Sequence, residues 1–175
     1  NIQPKAMDNA GYTIKNTVSN QHINGFSEDK YGYMWIATAK GLCKYNGYEY
    51  IHYYNNPGDS SSIPSDFITG LYLDANKELW ITTDKGIYKY VYESNDFFNY
   101  TYPELDNPPF EYGCIEYKNN LLVFGFKGIK MINKEDHTVK KISNSPSNII
   151  TTIVKDDYSR IWAGGRLGHG LQYYN

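Results

Sequence analysis

Apolar and polar positions alternate along the chain in short runs that turn residues separate. In the first part of the chain the runs cover about residues 22–28, 33–38, 41–45 and 48–54, with Gly, Asn and Asp between them. Runs of this length, bounded by such residues, are typical of antiparallel strands. Asn46-Gly47 predicts a tight hairpin between the last two runs. The pattern therefore predicts a unit of four strands.

This unit recurs along the chain, and such internal repeats indicate repeat architectures. Residues 29–45 return as residues 74–90, and a fourth copy begins at Asp156. A third, degenerate copy has Glu116 at the acidic position and Leu122 at the tryptophan position. We interpret the recurring residues as structural: Asp29, Trp35, Gly41, Asp74, Trp80, Gly86, Asp156, Trp162 and Gly170.

The second run of each unit is apolar without clean alternation, as in residues 34–37 and 79–81. Continuous apolarity indicates a strand that is covered on both faces. Blades stacked around an axis cover their middle strands in this way. We therefore predict an all-β fold made of β-propeller blades, with four four-stranded antiparallel repeats.

The strand count also predicts boundaries. Blade 1 covers residues 22–64, blade 2 residues 65–110, blade 3 residues 111–147, and blade 4 residues 148–175 without an outer strand. In the N-terminal segment, residues 1–21, the strand-like stretch 11–16 is suited to completing a last blade. The four blades could close a ring or belong to a larger propeller, for example a seven-bladed one, and we favour the larger propeller.

Composition and charge exclude some classes of binding partner. The 175 residues include 17% aromatic residues, which favours β structure, and their net charge of −2 argues against nucleic acid. No apolar run is long enough for a membrane helix.

The chain either had no signal peptide or begins after its removal. Cys43 and Cys114 could pair, but we expect buried, unpaired thiols.

Catalytic chemistry has little support in the sequence. The repeated Asp residues could act as glycosidase acids, but an Asp that recurs at each turn is better explained by hydrogen bonds to the turn backbone. The Trp residues could stack on sugars, but their apolar strands favour core packing. The histidines are scattered without metal-ligand spacing, and Cys43 has no base near it in the sequence. We predict no catalytic residues, no metal and no cofactor.

The loops between second and third strands offer the best candidates for ligand binding. Lys40, Lys85 and Lys127 occupy equivalent positions there, and the fourth unit has Arg166 and His169 in its longer loop. These cations could form a rim for an acidic ligand such as a uronate or sulfated sugar. The alternative, that a Lys before Gly is simply a solvated turn residue, is the interpretation that the sequence alone favours. The loops that join blades, 55–64 with Asp59 and 102–110, should emerge on the same face.

The pattern of residues 29–47, Asp-x-x-Gly-x-x-Trp-Ile-x-Thr-x-x-Gly-Leu-x-x-Tyr-x-Gly, resembles the repeat of the two-component regulator propellers. The resemblance covers most of residues 12–175. It implies the periplasmic sensor part of a hybrid two-component system of Bacteroides type, anchored in the membrane and followed by a histidine kinase. It also implies an oligosaccharide ligand derived from glycans, and further blades in the parent sensor.

Two other functions remain open at this stage. A propeller scaffold could bind another protein, or its exposed strand edges could pair in a homodimer. A lyase or glycosidase could also be built on a propeller, although it would depend on carboxylates alone.

Overall fold

A computed structural model describes residues 12–100, 102, 110–142, 149–166 and 171–174 of the chain. All the regular elements among these residues are strands. They are β1 (Tyr12–Lys15), β2 (Ile23–Glu28), β3 (Met34–Thr38), β4 (Gly41–Tyr45), β5 (Tyr50–Tyr53), β6 (Ile68–Leu73), β7 (Leu79–Thr83), β8 (Gly86–Val91), β9 (Asp96–Asn99), β10 (Glu111–Tyr117), β11 (Asn120–Gly125), β12 (Gly128–Asn133), β13 (Val139–Lys141), β14 (Ile150–Lys155), β15 (Ile161–Gly165) and β16 (Leu171–Tyr174).

The strands form four antiparallel sheets, one for each predicted unit. Within each sheet the strands follow sequence order from β2, β6, β10 or β14 outwards, and the fourth sheet has three strands among the described residues. Each innermost strand has a register shift near its start, for example between Ile23 and Gly25. The predicted all-β fold of antiparallel blades is confirmed.

The N-terminal strand differs from the prediction. β1 pairs with β5, the outer strand of the first blade, so that Ile14 faces Ile51 and Tyr12 faces Tyr53. It therefore does not complete the fourth blade, where the strand count had placed residues 11–16. The edge of the first blade is near in sequence and offers apolar partners and unpaired backbone groups, which a local strand pattern cannot reveal.

The blades stack through their innermost strands. β2 contacts β6, β6 contacts β10, and β10 contacts β14, whereas no extensive contact joins β14 to β2 within the described ranges. The blades thus form an open arc, with one apolar core between each pair of neighbours. Each core takes side chains from both blades, as predicted for covered middle strands.

Side chains on each blade point alternately to the preceding and the following blade. Leu71 of blade 2, Cys114 of blade 3 and Ile153 of blade 4 all pack against the blade before them. Phe26 is at the same register position in blade 1, where it is 60% exposed. The first blade therefore presents an open apolar side chain at one end of the arc.

Both cysteines are buried and unpaired. Cys114 lies in the core between blades 2 and 3, whereas Cys43 contacts Ser19 and His52 at the outer side of blade 1. In the part of the chain that the structure describes, no helix has the length and apolarity needed to cross a membrane.

Candidate ligand-binding face

The turns between second and third strands lie at the same end of the arc as the starts of the innermost strands. The backbone N–H of Gly41 donates to Asp66 O at 2.6 Å, and Phe126 N–H donates to Phe110 O at 3.0 Å. We call this end the upper face, and it comprises the turns 38–41, 83–86, 125–128 and 165–166 with the residues just before β2, β6, β10 and β14. Four of the predicted ligand residues belong to this face: Lys40, Lys85, Lys127 and Arg166.

Backbone constraints fix the shape of the first two turns. Gly41 has a φ of 110° and Gly86 a φ of 119°, values that favour glycine. Thr38 Oγ1 accepts a hydrogen bond from Lys40 N–H at 3.1 Å and donates to Gly41 O at 2.7 Å. Thr83 makes the same two bonds in the second blade. The repeated Thr-x-Lys-Gly sequence is therefore a turn that holds its lysine at the upper face.

Three lysines and an arginine of the predicted rim are exposed on this face, one on each blade. They are Lys40, Lys85, Lys127 and Arg166. Lys85 Nζ also donates to Pro64 O at 3.1 Å, which ties its turn to the loop that joins blades 1 and 2. His169 and Gly170, the remaining predicted residues of this loop, lie outside the described residues.

Asp59 accepts hydrogen bonds from within its own loop. Its Oδ1 accepts hydrogen bonds from Ser61 N–H at 2.9 Å and Ser61 Oγ at 2.6 Å. The hydrogen bonds from the Ser61 side chain and backbone lower the pKa of the Asp59 carboxyl. Asp59 is therefore anionic near neutral pH, and its role toward a ligand stays a prediction.

An aromatic cluster on the upper face was not predicted from the sequence. Phe110 lies 5.0 Å from Phe126, 5.3 Å from Tyr112 and 6.1 Å from Phe67, measured between ring centroids. The rings of Tyr112 and Phe126 are stacked at 5.9 Å with an interplanar angle of 13°. We call these four residues the aromatic cluster. They come from three separate stretches of sequence, which is why no local motif signalled them.

A buried ion pair lies on the same blade as this cluster. Lys130 Nζ donates to Glu111 Oε1 at 2.6 Å, and both side chains are almost fully buried. Tyr102 OH also donates to Glu111 Oε1, at 3.2 Å. A buried charge is stable only with a close partner, so the pair holds the start of β10 against β12.

The repeated aspartates lie at the opposite end of the blades, which we call the lower face. Oδ1 of Asp29 accepts from the backbone N–H of Tyr31 at 2.9 Å and of Tyr33 at 3.1 Å. Its Oδ2 accepts from Trp35 Nε1 at 2.7 Å. We call this arrangement the Asp–Trp clamp.

The clamp recurs in two other blades, where the indole of Trp80 donates to Asp74 and that of Trp162 to Asp156, at 3.1 and 2.8 Å. The indole bond explains the fixed Asp-x5-Trp spacing, which the sequence displayed but which turn chemistry alone did not explain. The bond from Trp162, together with those from Arg160 and Tyr158, lowers the pKa of Asp156 to about 2.

The third blade replaces the clamp with an ionic link. Its β10–β11 hairpin is shorter, so Glu116 faces Leu121 as Leu73 faces Leu79 in blade 2. Glu116 is thus not at the position of Asp74, as the sequence alignment had placed it. Lys134 instead bridges the carboxylates of Asp74 and Glu116, and its Nζ lies 3.0 Å from Asp74 Oδ2.

The clamp carboxylates accept hydrogen bonds within the fold, and they lie at the opposite end of the blades from the upper face. Burial opposes ionisation of Asp74, but hydrogen bonds from Glu78, Trp80 and Lys134 lower the pKa of its carboxyl. Burial raises the pKa of the Cys43 thiol, which disfavours the nucleophilic thiolate. No group of three His, Cys, Asp or Glu residues suited to a metal ion occurs among the residues with described positions.

The model of the two-component regulator propeller family matches residues 17–40 and 62–85. Each matched segment contains one Asp–Trp clamp and ends at a lysine of the upper face. These two segments are similar to the repeat of that family. A curated relative, histidine kinase P4 of Formosa agariphila, is 36% identical over 52 residues, which are 30% of this chain and 4% of that protein.

Solved structures of similar fold include two extracellular domains of hybrid two-component systems from B. thetaiotaomicron. BT3049 has a TM-score of 0.61 at 22% identity and BT4673 a TM-score of 0.69 at 21% identity, over 94% and 88% of this chain. The chain spans 30% and 24% of those two domains. Virginiamycin B lyase from Staphylococcus aureus also matches, with a TM-score of 0.65 at 16% identity over 94% of this chain and 59% of the lyase.

At these identities the structural matches establish the propeller fold and leave the activity open. The lyase and the sensor domains share the blade architecture with this chain. The chain therefore consists of propeller blades, two of which contain segments that match the regulator repeat, and it covers a minor part of the sensor domains whose fold it shares.

Proposed function

We propose that this chain is part of a non-catalytic, periplasmic sensor propeller of a membrane-anchored hybrid two-component system, which signals to a histidine kinase elsewhere in the parent protein. The observation that carries this proposal is the pair of regulator-type repeats at residues 17–40 and 62–85. The extracellular location of the similar sensor domains and the histidine kinase relative support it.

We further propose that the ligand is an oligosaccharide derived from a glycan, bound on the upper face. Lys40, Lys85, Lys127 and Arg166 bring one cation per blade to that face, which suits a carboxylated or sulfated saccharide. His169 and Asp59 complete the proposed set of contacts. Rigid turns on stacked blades favour recognition, since the scaffold holds the contacts in place before binding.

A larger propeller is part of the same proposal. Trp35 and Trp80 are buried by the following blade, whereas the equivalent Trp162 is only half-buried, and Val154 beside it is 59% exposed. Phe26 marks the matching open surface at the other end of the arc. A further blade of the same kind on each surface would bury these side chains as the internal junctions do.

The direct test is isothermal titration calorimetry of the complete sensor domain with uronate-containing, sulfated and neutral oligosaccharides. We expect saturable binding of at least one anionic oligosaccharide, weakened several-fold by the double substitution Lys85→Ala and Lys127→Ala. Lys155→Ala, at the lower end of β14, is the matched control and should bind as the wild type does. Absence of heat with every saccharide would contradict the proposal.

A protein-binding scaffold is the second candidate, and the exposed Phe26 and Val154 favour it. If these surfaces bind other chains, the purified four-blade chain should form dimers or larger oligomers, which light scattering measures. Under the sensor proposal the complete sensor domain should instead be monomeric, because its own further blades would cover these surfaces. Oligomers of the complete domain that dissociate on substitution of Phe26 would favour the scaffold.

Catalysis is the remaining alternative. A propeller lyase or glycosidase would turn over a polysaccharide and lose that activity when one carboxylate is replaced. We expect no turnover by the complete sensor domain, because the repeated carboxylates are committed to the clamps.

A further inference from the structure

The aromatic cluster is exposed where the fold does not require aromatic side chains. Phe67 and Phe126 are each 38% exposed, whereas the tryptophans at the junctions between blades, Trp35 and Trp80, are buried. Phe126 donates its backbone N–H to the residue before β10, and Ala39 and Arg166 make the equivalent bond in other blades. Alanine and arginine satisfy the same turn, so the phenylalanine at this position is not needed for the turn.

The position before the innermost strand has the same freedom. Phe110 accepts the turn bond in the third blade, and His22 and Ile149 accept it in the first and fourth. The geometry of the repeat therefore does not require aromatic residues at the upper ends of blades 2 and 3, although this sequence concentrates them there. Exposed apolar surface costs solvation free energy, so such a concentration indicates a binding role.

The size of the exposed surface limits the occupant. A phenylalanine side chain offers roughly 200 Å², so two rings at 38% exposure present about 150 Å² together. The largest apolar patch on a typical monomer is about 300–600 Å², and patches that bind proteins are usually larger still. A surface of this size fits one sugar ring, whose C–H face is apolar and whose hydroxyl groups point to the sides.

Charged and polar groups lie on the same face as the cluster. Lys127 follows Phe126 in the third turn, Asp84 and Lys85 form the equivalent turn of blade 2, and Arg166 lies on blade 4. Asp84 Oδ1 accepts from Ser65 Oγ at 2.5 Å, which fixes its carboxylate beside the start of β6. Cations and a fixed acceptor around an apolar centre suit a saccharide with an acidic substituent and free hydroxyls.

We propose that the aromatic cluster is a stacking site for one sugar ring of an anionic oligosaccharide, with Phe126 and Phe67 in contact with its apolar face. The inference rests on the proposed function, since it names the subsite that recognises the ring. It adds a specificity: sugars with an unobstructed C–H face bind, and epimers with an axial hydroxyl on that face bind weakly.

The test uses the complete sensor domain and the oligosaccharide of the calorimetry panel that binds most tightly. Phe126→Ala should weaken binding about tenfold, because the variant loses ring contact and apolar burial. Phe126→Trp should restore the affinity, and Phe126→Leu should fall between the two, because leucine keeps apolar volume without a flat ring. The matched control is Phe98→Ala, since Phe98 is 47% exposed on the outer strand β9, away from this face.

Each outcome decides one of the two proposals. If the wild type binds no saccharide, the proposed function fails and this inference fails with it. If the wild type binds but Phe126→Ala and Phe98→Ala behave alike, the stacking site alone is wrong. Thermal unfolding of every variant shows whether a loss of binding arises from a loss of fold. Phe126→Ala could disturb the β11–β12 turn, so Phe67→Ala, which lies outside the third blade, is the second test. Phe67→Ala should also weaken saccharide binding. Two further results would contradict ring stacking. One is a Phe126→Leu variant that binds the saccharide as tightly as the wild type does. The other is binding of a protein that depends on Phe126 while saccharide binding does not depend on it.

Discussion

Trp35 and Trp80 have the same clamp as Trp162 but different surroundings. All three indoles donate to an aspartate of their own blade, over 2.7 to 3.1 Å. Trp35 and Trp80 are at most 1% exposed, whereas Trp162, on the open side of blade 4, is half-buried. The clamp is thus a property of one blade, and burial of its indole is a property of two.

The largest effect should come from removal of a junction tryptophan. Trp80→Ala leaves a cavity between blades 2 and 3, and we expect it to lower the free energy of unfolding by about 3–5 kcal/mol. Trp162→Ala should cost clearly less in the four-blade chain, because water already reaches this indole. Urea unfolding measures both.

Trp80→Ala and Trp162→Ala also show whether a further blade follows blade 4. In the complete sensor domain a following blade would cover Trp162, and the two substitutions should then cost similar amounts. If Trp162→Ala stays the milder substitution there, no blade of the same kind packs on this side.

A clamp carboxylate should give the next largest effect. Asp74→Asn keeps the shape but weakens the bonds to Trp80 and leaves Lys134 with one carboxylate, Glu116, instead of two. Loss of such buried bonds costs about 1–3 kcal/mol. Asp29→Asn is the control, because the Lys134 bridge is not at its clamp. A smaller loss for Asp74→Asn than for Asp29→Asn would mean that the ionic link does not stabilise the junction.

A third pair of equivalent contacts joins the outer edges of neighbouring blades. Tyr53 OH donates to Asn95 Oδ1 at 2.9 Å across the first junction, and Tyr100 OH lies 3.2 Å from His137 Nε2 across the second. Asn95 and His137 both have positive φ, of 61°. The two tyrosines thus reach the same turn position of the following blade.

We expect Tyr53→Phe to destabilise the chain by about 1 kcal/mol, the net value of one hydrogen bond. His137→Asn should change stability by about 0.5 kcal/mol or less, because asparagine tolerates this backbone conformation and is the natural partner at the first junction. Thermal unfolding checks both values. A large loss for His137→Asn would show that the two junctions are not interchangeable.

Sequence periodicity predicted what each blade does by itself. The strands, the glycine turns and the clamp positions recur at fixed spacing, since each depends on neighbours within one hairpin. Glu116 was misaligned because one shortened hairpin shifts the register, and no spacing of residue types records that shift.

Contacts between blades were much harder to predict. Pairing of β1 with β5 depends on which sheet edge is open, and the aromatic cluster combines Phe67, Phe110 and Phe126 from separate units. A repeat pattern averages over such differences between units, and under the proposed function these differences would determine ligand specificity. The exposed rim lysines were predictable because their turn repeats, whereas their ligand was not.

The smallest effect concerns acid stability, and it compares the clamp of the open blade with an ordinary surface carboxylate. The folded-state pKa of Asp156 is about 2, below the value of about 3.9 for an unfolded aspartate. The charged form therefore stabilises the fold above about pH 4, and this contribution is lost as the pH falls toward 2. The difference in unfolding midpoint between the wild type and Asp156→Asn should shrink over this range. Asp157→Asn changes the net charge equally but leaves the clamp intact, so it is the matched control for the change in charge. If the unfolding midpoints of the two variants depend on pH in the same way, the clamp does not lower the pKa of Asp156.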